Sequence, residues 1–278
     1  MRISVIIPTF NRLNTLPRAL ESILAQTLAA EEIIVVDDGS TDGTQSWISK
    51  NHPQCKVLQQ ENTGVSSARN LGISAASGDW IALLDSDDAW QPQKLALQMA
   101  ALQASPGLRI CHTEEIWIRN GKRVNAMKKH AKGGGQIFQR CLPLCVISPS
   151  SVILHRTLFE EYGLFDTSLP ACEDYDLWLR LCAHEEVLFI DEPLTVKYGG
   201  HEDQLSHKHW GMDRFRVTAL EKLLQSTSLS EQDRQATLET LITKTGILAQ
   251  GAGKRGHHER AEHYLQLQKK YQGRLITS

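Results

Sequence analysis

The chain has 278 residues, of which 41% are hydrophobic and 22% are charged, and its formal net charge at pH 7 is −2. This is ordinary for one large α/β domain with an elaboration, or for two small domains that share a core. The near-neutral charge does not support a nucleic-acid-binding protein, and no apolar run approaches the roughly 18–20 residues that span a bilayer. The N-terminus becomes polar too soon for a secretory signal and the cysteines lack Cys-x-x-Cys spacing, so we expect a cytoplasmic protein with free thiols.

Short apolar runs and helical patterns alternate along the first hundred residues. Strands are predicted at residues 3–7, 33–36, 56–59 and 80–84, and helices at 16–28, 44–49 and 66–76. This alternation predicts an α/β fold with a mostly parallel twisted sheet flanked by helices.

The pattern changes after about residue 106. Further strands are predicted at 108–118, 148–154, 187–190 and 194–198, and a short helix at 172–183. From about residue 210, leucines recur at helical spacing, which predicts a C-terminal helical extension. We therefore divide the chain into residues 1–105 and 106–209, as two halves of one domain, and the extension 210–278.

Polar side chains follow three of the predicted strands. Asn11 follows the first, Asp37 and Asp38 end the second, and residues 85–88 (DSDD) end the fourth. In parallel sheets ligands bind beyond the carboxyl ends of strands. Alternate carboxylates there can bind one Mg²⁺ or Mn²⁺ ion, which in turn can bridge two phosphates. A turn that leads into a helix N-cap explains the same four residues, and the segment alone does not decide between the two.

Four motifs in order make the chain resemble the family 2 glycosyltransferases, which have a GT-A fold and invert the anomeric centre. They are VIIPTFNR at 5–12, VVDDGSTD at 35–42, NTGVSSARN at 62–70 and GDWIALLDSDD at 78–88, with a later acidic motif EDYDLWLR at 173–180. The resemblance covers about residues 1–205. It implies that residues 1–105 bind a nucleotide-sugar and that 106–209 bind the acceptor.

The resemblance also assigns roles to single residues. Contacts to the nucleotide-sugar are expected from Pro8, Thr9, Asn11, Asp37, Asp38, Arg69, Asp85 and Ser86. The Asp37–Asp38 pair would read the base of a UDP- or dTDP-sugar. Asp87 is the expected ligand of Mn²⁺ or Mg²⁺, and His201 a second one, although a lone histidine equally fits a solvent or core position.

Sugar transfer needs a base, because the acceptor hydroxyl must lose its proton as it attacks the anomeric carbon. By the resemblance, Asp174 is the candidate general base. A carboxylate that stabilises a helix N-terminus is the alternative, and spacing alone does not exclude Glu173 or Asp176.

The resemblance implies a UDP-sugar donor and a glycan or lipid-linked glycan acceptor, in bacterial surface glycan or polysaccharide biosynthesis. The basic segment 254–258 (KRGHH) fits either contact with the inner face of a membrane or a short loop between helices. The C-terminal helices are compatible with a homodimer.

A nucleotidyltransferase that forms sugar nucleotides and a non-catalytic nucleotide-sugar-binding protein are the alternatives to a glycosyltransferase. A nucleotidyltransferase needs a glycine-rich phosphate loop near the N-terminus, and this chain has none near Pro8. The joint presence of Asp85, Asp87 and Asp174 argues against a non-catalytic binding protein.

Overall fold

The computed structural model describes residues 1–125, 131–200, 209–225 and 229–277. The chain forms two compact units. The sheet unit comprises Met1–Gln136, Val146–Pro170 and Glu185–His201, and the helical unit comprises Ile137–Cys145, Ala171–His184 and Glu202–Ser278.

A nine-stranded sheet with the order β3-β2-β1-β4-β8-β6-β9-β5 forms the centre of the sheet unit, and β7 pairs with β6. The strands are β1 Ile3–Thr9, β2 Glu32–Asp37, β3 Lys56–Gln59, β4 Trp80–Leu83, β5 Ala89–Trp90, β6 Ile110–Arg119, β7 Lys122–Val124, β8 Val152–His155 and β9 Val187–Gly199. Strands β3, β2, β1 and β4 are parallel, as are β6 and β9, whereas β8 runs antiparallel to both β4 and β6. The predicted α/β fold is confirmed.

Helices cover the sheet and make up most of the helical unit. The sheet unit contains α1 Leu16–Leu24, α2 Thr44–Asn51, α3 Val65–Ala75, α4 Lys94–Ala104 and α6 Thr157–Tyr162. The helical unit contains α5 Phe138–Cys141, α7 Glu173–Cys182, α8 Asp213–Gln225, α9 Glu231–Lys254 and α10 His258–Thr277. The predicted helical C-terminal part is therefore confirmed. Within the described ranges, no helix combines the length and apolar character that a bilayer crossing requires.

Burial of β-branched residues explains why the central strands form where they do. Every residue of β1 is buried, and alternate side chains such as Val5 and Ile7 join one core cluster with Leu16 and Leu20 of α1. On the other face, a Cβ added to Gly72 of α3 would lie 2.5 Å from Ile6 Cγ2. Only glycine allows this close helix–strand approach, which fixes α3 and its polar residues against the sheet.

Several elements differ from the sequence-based expectations: α1 ends at Leu24 rather than at residue 28, β8 begins at Val152 rather than at 148, and β5, β7, α4, α5 and α6 were not predicted. Helix α4 was not predicted, because buried Lys94 and Gln98 interrupt its apolar face. Residues 187–190 and 194–198 belong to one strand, β9, whose register against β6 shifts on either side of Glu114. Pro193 lies in this irregular stretch, and its composition resembles a turn between two strands.

Candidate active site

The sheet reverses its winding direction between β1 and β4. From β1 the chain proceeds outward through β2 and β3, and then returns to place β4 on the other side of β1. In open α/β sheets this switch point opens a crevice at the carboxyl ends of the strands. Thr9 is the last residue of β1 at this end of the sheet. Asp85 lies two residues after the end of β4, directly after Leu84.

Hydrogen bonds join the loops that follow β1 and β2. Asn11 donates its backbone N–H to Ser40 Oγ at 2.8 Å, and its Oδ1 accepts from the Thr41 N–H at 2.8 Å. Its φ of 52° is left-handed, a conformation that asparagine tolerates better than most residues. Asn11 thus shapes the rim of the crevice. Pro8 lies within β1, opposite Val36 of β2 and one residue before the end of the strand.

The two aspartates at the carboxyl end of β2 have different partners. Asp37 Oδ1 accepts the Ser40 N–H at 3.0 Å, which closes the turn after β2. The Asp38 carboxylate accepts the N–H groups of Thr63 and Gly64, both at 2.9 Å, and Gln60 Nε2 at 2.6 Å. In this structure Asp38 therefore holds the loop that leads into α3, and its role in base reading remains a prediction.

Two buried hydroxyls near the rim lack an internal partner. Thr9 Oγ1, at the end of β1, and Ser66 Oγ, in the first turn of α3, make no hydrogen bond to any described residue. Buried polar groups are nearly always hydrogen-bonded, so both hydroxyls are available to bind water or a ligand. Ser66 was not among the residues selected from the sequence.

An ion pair connects α3 to the acidic loop after β4. Arg69 Nη2 lies 2.8 Å from Asp85 Oδ1, and the arginine side chain is only 4% exposed. Burial alone would raise the pKa of Asp85, but the charges of Arg69 and Lys197 outweigh it and hold that pKa below its ordinary value. Asp85 is therefore ionised at neutral pH.

The next two carboxylates of this loop are harder to ionise. Burial, and then the negative charge of Asp85, raise the pKa of Asp87. Burial also raises the pKa of Asp88, although Lys197 partly offsets it. Asp88 has fixed partners, because its carboxylate accepts from Ser150 Oγ at 2.6 Å and from the Tyr198 N–H at 3.1 Å. Asp88 thus supports the loop from within.

The donor chemistry of the acidic loop fits a hard divalent cation. Asp85 and Asp87 offer oxygen ligands, and a cation would relieve the repulsion that raises the Asp87 pKa. Over the described ranges, no three His, Cys, Asp or Glu side chains form a ligand group. Magnesium sites in enzymes commonly use one or two carboxylates and take further ligands from substrate phosphates and water. His201, the second expected ligand, lies outside the described residues.

A polar network beneath the acidic loop was missed by sequence reasoning. Ser150 lies in a short 3₁₀ turn, Pro149–Ser151, which the sequence led us to interpret as the start of a strand rather than as part of the acceptor side. Its hydroxyl accepts the Asp85 N–H at 3.1 Å and donates to Asp88. Trp90 Nε1 donates to the Ser150 carbonyl at 2.7 Å, so a buried indole fixes the turn from behind. Ser86, between the acidic residues, is buried as well.

The same network extends to a buried amine. Gln98 Nε2 donates to the Ser151 and Cys111 carbonyls, both at 3.0 Å, and Gln98 Oε1 accepts from Lys94 Nζ at 2.8 Å. Burial lowers the pKa of Lys94 to about 7. Two helical side chains therefore support the backbone that carries Ser150.

Asp174 lies in the first turn of α7, in the helical unit. Its Oδ1 accepts the Tyr175 N–H at 2.7 Å, and the Cys145 thiol lies 3.2 Å from its Oδ2. Its rival Asp176 is almost fully buried and paired with Lys222 and Arg180, at 2.8 and 3.0 Å. These pairs make Asp176 a structural residue. The assignment of Asp174 as the base remains a prediction.

Comparison with known proteins shows similarity to glycosyltransferases. The family model for glycosyl transferase family 2 matches residues 4–163. An uncharacterized glycosyltransferase of Rickettsia bellii is 34% identical over 197 residues, which are 70% of this chain and 28% of that protein. The UDP-Glc:alpha-D-GlcNAc-diphosphoundecaprenol beta-1,3-glucosyltransferase WfgD of Escherichia coli is 32% identical, covering 68% of this chain and 73% of that protein. The chain spans about a quarter to two thirds of the length of the Rickettsia relatives.

Solved structures share the fold at low sequence identity. S. aureus TarS 1–349 in complex with UDP-GlcNAc has a TM-score of 0.67 and 17% identity, covering 98% of this chain and 92% of that one. The mannosyltransferase PcManGT from Pyrobaculum calidifontis, in complex with GDP-Man and Mn²⁺, has a TM-score of 0.61 and 17% identity, covering 97% and 86%. With the family match over more than half of the sequence, we conclude that the chain belongs to glycosyl transferase family 2.

Proposed function

We propose that this chain transfers a sugar from a UDP- or dTDP-sugar to an acceptor hydroxyl, with inversion at the anomeric carbon. The observation that carries the proposal is the Arg69–Asp85 ion pair at the switch point, with the half-buried Asp87 beside it. A guanidinium and a carboxylate held in one crevice offer a donor for phosphate oxygens and an acceptor for ribose hydroxyls. The unpartnered hydroxyls of Thr9 and Ser66 supply further contacts.

Asp87 and Asp85 would hold Mn²⁺ or Mg²⁺, and His201 would add a nitrogen ligand. When bound, such an ion stabilises the negative charge that develops on a leaving diphosphate. The chain's own residues fix the ligands in place, since Ser150 orients the Asp85 backbone and Arg69 orients its carboxylate. The Mn²⁺ in the PcManGT structure supports this proposal.

Asp174 is proposed to accept the proton of the attacking hydroxyl. A carboxylate can do so when it lies within about 3 Å of that oxygen. The Cys145 thiol contacts Asp174 Oδ2 at 3.2 Å, and among the described residues no Lys or Arg side chain forms an ion pair with this carboxylate.

The acceptor is proposed to be a glycan, or a glycan on a lipid carrier, in surface polysaccharide synthesis. The name of the WfgD relative, which specifies a diphosphoundecaprenol-linked acceptor, supports the lipid-linked class. The protein would then act in the cytoplasm and visit the inner face of the membrane.

A thermal-shift screen of nucleotide-sugars with Mn²⁺ tests the proposal. A ligand that binds only the folded state stabilises it by about 2.7 kcal/mol at a hundredfold excess over its dissociation constant. We expect UDP- or dTDP-sugars to raise the melting temperature with Mn²⁺ but not with EDTA, and D87N to abolish the shift. D191N is the matched control, because Asp191 is exposed on β9.

The screen also separates the alternative enzyme class. A nucleotidyltransferase would release pyrophosphate from a nucleoside triphosphate and a sugar phosphate. Pyrophosphate release in the absence of any shift with nucleotide-sugars would replace the transferase proposal with that one.

A further inference from the structure

An exposed tryptophan in the helical unit is flanked by two arginines. Trp210 is 46% exposed, although tryptophan usually buries most of its surface in a soluble protein. The guanidinium carbon of Arg214 lies 4.6 Å from the centre of its ring, and that of Arg260 lies 4.2 Å from it. Both distances are within the range of cation–π attraction.

The described residues supply no carboxylate partner to either arginine. In the described part of the chain, no carboxylate forms an ion pair with Arg214 or Arg260, and Arg214 Nε has no hydrogen-bond partner. The one nearby acid on α8, Asp213, is occupied by Arg216 at 2.8 Å and Lys244 at 2.9 Å. Two guanidinium groups around one indole therefore carry charge that the described residues do not compensate.

The turn between α9 and α10 adds to this charge. Arg260 lies in the first turn of α10, two residues after the exposed basic segment 254–258. We define the Trp210 surface as Trp210, Arg214, Arg260 and residues 254–258. Its four cations, Arg214, Lys254, Arg255 and Arg260, exceed the two exposed carboxylates beside them in α10, Glu259 and Glu262.

This combination fits an anionic bilayer better than a soluble anion. Tryptophan favours the headgroup region of a bilayer, because its ring is apolar and its N–H is polar. A guanidinium that stacks on an aromatic ring keeps its N–H edge available for a phosphate. A soluble phosphate would use the arginines but leave the indole exposed to water.

We propose that the Trp210 surface docks the helical unit onto an anionic lipid bilayer, with the indole in the headgroup layer and Arg214 and Arg260 bound to lipid phosphates. This deepens the proposed function, on which it rests only for the idea that a lipid-linked acceptor lies at such a membrane. Docking would bring the chain to its acceptor without a membrane-spanning helix.

Co-sedimentation of the full chain with vesicles tests the docking. Vesicles of phosphatidylcholine with about a third phosphatidylglycerol are compared with pure phosphatidylcholine at about 0.15 M salt. We expect binding to the anionic vesicles only. R214Q/R260Q should lower the partition coefficient about 25-fold, at roughly fivefold per arginine, and W210A about tenfold.

Control variants separate docking from net charge and from misfolding. K50Q/K269Q removes the same charge from exposed lysines, and Lys269 lies on the face of α10 opposite Arg260, so binding should change less than about twofold. If R214Q/R260Q melts early, R260Q alone should still show about a fivefold loss.

Three results would overturn the inference. The first is equal binding of the wild-type protein to both kinds of vesicle, or binding to neither. The second is an equal loss of vesicle binding in R214Q/R260Q and in K50Q/K269Q. The third is binding to duplex DNA that is as tight as binding to vesicles. Donor binding, measured in parallel by melting temperature, is independent of all three. Vesicle binding without donor binding would leave the docking intact and contradict the proposed function. Donor binding without vesicle binding would contradict the docking and leave the proposed function intact.

Discussion

Replacing Lys94 with methionine removes a buried amine from the network beneath the acidic loop. Its pKa in the folded protein is about 7, against 10.5 for an unburied lysine, and the cause is burial. Between these two values the folded state binds fewer protons than the unfolded state, so the free energy of unfolding rises with pH across that window.

The size of this effect follows from the two pKa values. One proton of difference changes the unfolding free energy by about 1.36 kcal/mol per pH unit, and Lys94 is half-titrated at its own pKa. From pH 7 to pH 9 the wild-type protein should therefore gain roughly 2 kcal/mol from this group. The Trp90 ring, 4.1 Å from Lys94 Nζ, stabilises the charged amine by cation–π attraction. The gain of roughly 2 kcal/mol in unfolding free energy is therefore an upper bound.

Urea unfolding of wild type and K94M at pH 7, 8 and 9 measures the effect. The variant lacks this titration, so its stability relative to wild type should fall by up to about 2 kcal/mol over the two pH units. Subtracting the two curves removes the contributions of other groups, including Asp88. K50M, which changes an exposed lysine, should keep a constant difference from wild type. Parallel curves for K94M would refute a depressed Lys94 pKa.

Three further predictions concern the loops and the site. S150A removes the hydroxyl between the Asp85 N–H and the Asp88 carboxylate, so calorimetry should show about tenfold weaker donor binding with Mn²⁺; an unchanged affinity would exclude this positioning role. D38A removes the acceptor of three hydrogen bonds in the 60–64 loop and should cost about 2–4 kcal/mol in urea unfolding, whereas a loss below about 0.5 kcal/mol would contradict that role. D174N should lower kcat about 10²- to 10⁴-fold with little change in donor affinity, and unchanged turnover would remove Asp174 as the base.

The central strands could be predicted because local sequence determines them. Continuous β-branched runs such as residues 33–36 bury both faces, which is the pattern of a covered parallel strand. Helix α4 could not be recognised in the same way. Its core face contains Lys94 and Gln98, whose burial is possible only because partners distant in sequence accept their hydrogen bonds.

The acidic loop was found from the sequence, but the residues that hold it were not. Asp85 and Asp87 stand out as carboxylates at a strand end, whereas Ser150 acts on Asp88 from 62 residues away. No local pattern distinguishes such a serine from one that starts a strand. Lys197 was similarly interpreted only as part of a strand, yet the charges of Asp88, Glu115 and Asp85 outweigh its burial and raise its pKa.

The proposed activity depends most on the binding of a nucleotide-sugar by the acidic loop through a divalent ion. Isothermal titration of UDP into wild type, D87N and D191N, with Mn²⁺ and with EDTA, tests this directly. We predict Mn²⁺-dependent binding by wild type and D191N, and a loss of at least about tenfold in D87N. UDP binding of equal affinity in EDTA, or in D87N, would contradict the claim.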